Sequence, residues 1–86
     1  MIAVYVLISE RDHNRYIGSA SDLGRRIAQH NRGLVRSTRN RRPLRLYAVQ
    51  RCASTVEARL LEVAYKKSRG KFEKAIKDKD LKIIGA

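Results

Sequence analysis

The chain has 86 residues, with 20 Lys or Arg against eight Asp or Glu and a net charge of +12. That length supports one domain with one small core, and the single cysteine, Cys52, excludes an internal disulfide. A charge this large costs self-repulsion and predicts a polyanionic partner, nucleic acid ahead of an anionic membrane, because no basic amphipathic helix with bulky apolar anchors is evident.

Ile2 to Ile8 is a continuous apolar, β-branched run, the pattern of a strand covered on both faces. It is far too short to span a membrane and has no basic segment before it, so it reads as a buried strand rather than a signal peptide. Ser9 to Asn14 is polar and turn-forming, which predicts a hairpin returning through Arg15 to Gly18 and sets Tyr5 and Tyr16 on neighbouring strands. At Gly18 a missing side chain lets another group approach the backbone closely. A short helix follows, capped by Ser21 or Asp22, with Leu23, Ile27 and His30 as its buried stripe and Asn31 and Gly33 as its stop. Gly24 weakens this helix by about 1 kcal/mol relative to alanine, and close packing is the favoured reason for its presence.

The connector from Arg32 to Arg45 holds Arg32, Arg36, Arg39, Arg41, Arg42 and Arg45. Leu44 to Cys52 alternates Leu44, Leu46 and Ala48 against Arg45, Tyr47 and Val49, a third strand. Ser54-Thr55-Val56-Glu57 has the form of a capping box opening the longest helix, with Val56, Leu60, Val63 and Ala64 as its core stripe and Gly70 as its stop. Phe72, Ala75 and Ile76 predict a short third helix, and Leu81, Ile83 and Ile84 predict a tail docked on the core. The expected fold is α+β: a three-stranded, mainly antiparallel sheet flanked by helices in the order ββαβαα. One domain spans residues 1–86, with a motif core over about 2–70 and a C-terminal helix and tail over 71–86.

Few residues are available for chemistry. Asp22 and Glu57 already serve helix starts, and Cys52, His13 and His30 form no zinc-spaced cluster. Glu62 shares a helix flank with Arg59, Lys66 and Arg69, so periodicity alone favours an ordinary exposed ion pair with Lys66. A lone acid in a basic stripe is also where a metal would sit beside a phosphate. Arg26 could grip two phosphate oxygens or be one more surface arginine, and Tyr5 and Tyr16 could be packing residues with satisfied hydroxyls. His30, with an ordinary pKa near 6.5, is a candidate base or a helix-end cap.

Taken together, Ala3-Val4-Tyr5, Tyr16-Ile17-Gly18, Arg26 ten positions beyond the second tyrosine, and Glu62 closing Glu57-Ala58-Arg59-Leu60-Leu61-Glu62 resemble the GIY-YIG nuclease family. His30-Asn31-Arg32-Gly33, Ser37-Thr38 and Arg42-Pro43-Leu44 add weaker echoes. The resemblance implies the same α+β fold and a metal-dependent endonuclease that hydrolyses DNA phosphodiesters to 5′-phosphate and 3′-hydroxyl ends. It implies Tyr5, Tyr16, Arg26 and Glu62 as the catalytic set, with Glu62 as ligand to one Mg2+ or Mn2+; Tyr5 is the favoured proton acceptor, and His30 joins the candidate set as its rival on its ordinary pKa. Branches used in excision repair carry lysine after the second glycine; Ser19 stands there instead, so a phosphate contact is absent or supplied by Arg15 or Arg25, and the chain is nearer the small stand-alone members.

Arg15, Arg25, Arg32, Arg36, Arg39, Arg41, Arg42 and Lys66 are the expected nucleic-acid contacts. No base-reading motif is evident, so intrinsic sequence specificity should be weak and selectivity, if any, for DNA structure. DNA is the expected partner, RNA a second candidate, and a protein partner or homodimer a third. The alternatives are a non-catalytic nucleic-acid-binding module on the same scaffold, or a catalytic subunit active only with a partner. The lone cysteine fits a reducing intracellular compartment, cytoplasmic or nucleoid-associated.

Overall fold

The computed structural model describes residues 1–84. Strands β1 (Ala3–Ser9) and β2 (Arg15–Ala20) form a hairpin, followed by α1 (Leu23–Asn31), β3 (Leu44–Arg51), α2 (Thr55–Lys67), α3 (Arg69–Lys77) and β4 (Lys82–Ile83). The sheet order is β2-β1-β3-β4, antiparallel throughout. The α+β class and the order ββαβαα are as expected from sequence, with β4 as an addition. Two residues are too short to give an alternation signal; backbone pairing of Ala48 with Ile83 and Val49 with Lys82 makes the strand, and fully buried Leu81 anchors it. Ile83 and Ile84 remain partly exposed, and residues 85–86 of the expected docked tail lie outside the described residues.

β1 explains the architecture. Its residues are buried on both faces, so the sheet must be covered twice. Val4 and Val6 face a core built with Ala58, Tyr65, Phe72, Ala75 and Leu81 from the α2–α3 side. Ala3, Tyr5 and Leu7 face a second core with Leu23 of α1 and Leu44 of β3. The single core expected from length is therefore two thin layers, one on each side of the sheet.

Local details account for the other departures from expectation. The β1–β3 register shifts between Val6 and Leu7, so Val6 pairs with Ala48 and Leu7 with Leu46, leaving Tyr47 as the extra residue. Such a bulge turns the strand over, and Ala48 faces the α2–α3 layer rather than sharing a face with Leu44 and Leu46. On α2 the expected core stripe is wrong: Val56 and Leu60 are 68% and 66% exposed, and Val63 is exposed too. The helix instead turns Ala58, Leu61 and Tyr65 to the sheet, because small Ala58 permits close approach and Tyr65 fills the layer while its hydroxyl donates to Gln50 Oε1. Gly70 does not stop α2. Ser68 does, and its hydroxyl accepts from the Lys71 N–H to start α3 at once, so Arg69 belongs to α3. Gly24 faces open space with only Asp22 Oδ1 nearby, so packing does not explain it.

The remaining boundaries follow the sequence. Asp22 caps α1 through the Arg25 N–H. At the other end Gly33 adopts φ of +79°, with Gly33 N donating to His30 O and Leu34 N to Gln29 O, a Schellman ending. The Ser54 hydroxyl accepts from Glu57 N, and the Glu57 carboxylate returns to Ala53 N. A 3₁₀ turn at Arg39–Arg41 organises the connector, which the sequence left without structure.

Candidate active site

Tyr5 and Gly18 are direct partners across the β1–β2 ladder. A Cβ at Gly18 would lie 2.5 Å from both the Tyr5 ring and its hydroxyl, so only glycine lets the tyrosine lie flat over β2. The close approach expected at Gly18 is thus made by Tyr5. Its hydroxyl reaches His30 Nε2 at 2.8 Å, and His30 Nδ1 reaches Thr38 Oγ1 at 2.7 Å. Tyr5 is 1% exposed, and His30 and Thr38 are fully buried. A continuous hydrogen-bonded chain therefore runs from β1 through α1 into the connector. The Tyr16 ring packs edge-on against His30, with centroids 5.1 Å apart, and is itself only half-buried.

The α1 geometry separates the two neighbouring arginines. Arg25 points to solvent, whereas Arg26 is half-buried one turn before His30, with one guanidinium nitrogen donating to Gln29 Oε1. Burial, assisted by the Arg26 charge, pushes His30 down to about 4. The imidazole is neutral at neutral pH and able to receive a proton. Burial raises the Tyr5 pKa; nearby Arg26 opposes this without cancelling it, while Tyr16 and Glu62 add to the rise. Arg26 alone does not bring the phenol down, because desolvation of the anion is the larger effect.

Glu62 comes from the other layer and meets this group at the free edge of β2. Its Oε1 accepts a short bond from the Ser19 hydroxyl at 2.5 Å, and Lys66 Nζ donates to Oε2 at 2.6 Å. Lys66 also lies 5.7 Å from the Tyr16 ring centroid, which links the two halves of the site. Burial tends to raise the Glu62 pKa, but the Lys66 and Ser19 hydrogen bonds and the Lys66 and Arg59 charges outweigh it and hold the carboxyl low. The Glu62–Lys66 ion pair read from periodicity therefore forms, on a carboxylate that is sunk against β2 rather than free in solvent, with 14% side-chain exposure.

These residues fit one hard divalent ion. Among the described residues no three His, Cys, Asp or Glu gather as a metal cluster. Mg2+ needs none: it keeps several waters and takes one or two carboxylates plus substrate phosphate oxygens. The ionised Glu62 carboxylate, held by Ser19 near the two tyrosines, is the one such ligand here among the described residues, and Lys66 must yield its oxygen for an ion to bind. Two participants escaped the sequence reading. In the sequence Ser19 is only a departure from the family pattern and Thr38 only a weak echo, because the role of each depends on where Glu62 and His30 arrive.

The expected nucleic-acid contacts divide. Arg15 lies on the α3 side, its guanidinium 5.2 Å from the Phe72 ring centroid, in a cleft of about 500 Å³ shared with Lys66 and Arg69. Arg25 and Arg26 line a separate groove with Ser19 and Ser21. Both openings adjoin Glu62 through Lys66 or Ser19. Arg32, Arg36 and Arg39 are exposed along the connector. Arg41 has a structural task instead: it donates to both Asp12 oxygens and to the carbonyl of Asn14, clamping the connector to the hairpin turn. Arg42 donates to Arg39 O and lies where a Cβ on Gly33 would be.

Residues 1–82 match the GIY-YIG catalytic domain. The chain belongs to the GIY-YIG family. A curated relative, UPF0213 protein spr1390 of Streptococcus pneumoniae, is 39% identical over 67 residues, 76% of this chain and 68% of that protein. No solved structure matches significantly. Membership implies nuclease-type activity, hydrolysis of phosphodiesters in a nucleic-acid substrate, and GIY-YIG nucleases generally use a divalent metal. Among the described residues, no helix is long and apolar enough to cross a membrane.

Proposed function

We propose that this GIY-YIG protein is a metal-dependent DNA endonuclease with weak intrinsic sequence specificity. The observation that carries the reading is the convergence, at one strand edge, of the Tyr5–His30–Thr38 chain, Tyr16 and Arg26 with an ionised, anchored Glu62. A bound Mg2+ or Mn2+ on Glu62 would supply polarisation of the scissile phosphate and stabilisation of the leaving oxygen. Arg26 holds phosphate oxygens as negative charge grows on them. Tyr16, the more open phenol, orients the attacking water or the phosphate.

Tyr5 and His30 act as one proton-holding unit. As a proton passes to the Tyr5 oxygen, the phenol's own proton moves to His30 Nε2, so no buried phenolate forms. Thr38 Oγ1, 2.7 Å from Nδ1, holds the ring in place, and its hydroxyl can donate or accept as the imidazole changes protonation. Because a charged imidazole is unfavourable when buried, and more so beside Arg26, the proton rests there only transiently. Arg15, Arg25 and Lys66, with the exposed connector arginines, carry the flanking phosphates.

One feature favours a binding-only module: Lys66 occupies the Glu62 oxygen that a metal would use. Purified protein incubated with supercoiled plasmid and Mg2+, with and without chelator, separates the two readings. Chelator-sensitive nicking supports the endonuclease; tight DNA binding with no nicking of any DNA or RNA form supports the module.

A further inference from the structure

The misassigned stripe on α2 leaves aliphatic side chains outside the fold beside the site just described. Val56 and Leu60 are 68% and 66% exposed and lie opposite the buried Ala58 and Tyr65. With the end of β2 they form a cleft of about 460 Å³, lined by Ser19, Ala20, Val56, Arg59 and Leu60 among others. One wall is Ser19, whose hydroxyl holds Glu62. The cleft thus adjoins the carboxylate through Ser19, with two exposed aliphatic side chains on its wall and a cation, Arg59, beside them.

A second copy of the chain is a poor occupant: two bodies of charge +12 repel. A few aliphatic residues also fall well short of the roughly 1,000 Å² that a stable interface clears. A fully paired duplex is a poor occupant too, since it presents phosphates and groove edges and keeps its apolar base faces stacked inside. An unstacked nucleotide matches both halves of the cleft. Its base presents an apolar face to Val56 and Leu60, as aliphatic side chains do when they insert at base steps, and its phosphate meets Arg59.

We propose that this cleft receives one unpaired nucleotide next to the scissile phosphate, base on Val56 and Leu60, phosphate on Arg59. The proposal rests on the nuclease reading for the position of the scissile phosphate, and names unpaired DNA as the favoured substrate class.

The test is binding of wild-type protein, in chelator, to a duplex with one unpaired 2-aminopurine. The comparisons are the fully paired duplex and a duplex whose unpaired position lacks a base. The unpaired base should bind on the order of tenfold tighter than the paired form, with a change in 2-aminopurine emission, and the abasic form should lose that advantage. Leu60→Ser and Val56→Ser, both at exposed positions that the fold does not need, should each reduce the ratio. Equal affinity for paired and unpaired duplexes, or an undiminished ratio in both variants, overturns the proposal. Failure of the nuclease reading is scored separately, by wild-type protein that nicks no substrate in Mg2+, because the binding ratio is measured without metal.

Discussion

Tyr5, His30 and Gly18 constrain one another closely, and each can be tested alone. Adding a methyl at Gly18 drives it into the Tyr5 ring and hydroxyl. Gly18→Ala should therefore cost about 1–3 kcal/mol, as overpacking does, measured by urea denaturation, and should lower turnover by displacing the phenol from His30. If Tyr5 and His30 hold one proton between them, Tyr5→Phe combined with His30→Gln should slow single-turnover cleavage little more than either change alone. Additive losses would assign them separate tasks. The depressed His30 pKa also has a stability consequence. The unfolded chain binds a proton near 6.5 and the folded chain near 4. Between those values the unfolded state carries more protons, so stability should fall as pH drops through that window, by on the order of a few kcal/mol at most. Chemical denaturation of wild type and His30→Gln across pH 4 to 7 measures this, and a shared pH dependence would contradict it.

At the scale of elements, the arginine-rich connector has two functions that look alike in sequence. Arg41 is spent on Asp12 and two backbone carbonyls near the hairpin turn, and its own carbonyl accepts from Ser9 Oγ. The Arg41 hydrogen bond, followed by that from Asn14 N–H, holds the Asp12 carboxyl at about 2. Because that value is depressed from 3.8 in the unfolded chain, the clamp contributes above that pH and is lost as pH falls towards 2. Arg41→Gln should lower Tm while changing the salt dependence of DNA binding little; Arg25→Gln should do the reverse, reducing the log–log slope by about 1. Nothing in the sequence distinguishes these two arginines, since the distinction depends on where Asp12 arrives. The same limit explains the other losses of legibility. The N-caps of α1 and α2, the Gly33 ending and the Tyr–Ile–Gly strand are set by neighbours within a few residues, and they read correctly. The face of α2 is set by the sheet beneath it. Three aliphatics at helical spacing outweighed Ala58 and Tyr65 in the pattern, although the sheet selects the latter. β4 and the bulge at Tyr47 depend on long-range pairing and leave no periodic signal.

Across the whole molecule, the site lies where two layers meet. Tyr5, Tyr16, Arg26 and His30 belong to the α1 side of the sheet, and Glu62 reaches them from α2 around the edge of β2. No continuous stretch of chain contains the constellation, which is why an ordered set of distant residues, rather than any local motif, carried the sequence reading. The positive surplus is distributed around that edge, through Arg15, Lys66 and Arg69 in one cleft and Arg25 and Arg26 in another. The central claim is that the anchored carboxylate is a metal ligand and not merely the partner of Lys66. Glu62→Gln keeps a group that can accept from Ser19 and removes the charge. Nicking of supercoiled plasmid in Mg2+ by this variant should fall at least about a hundredfold, in line with loss of a charge-stabilising group, while binding to the same DNA in chelator persists. A Glu62→Gln protein that nicks as fast as wild type in Mg2+ would contradict the account.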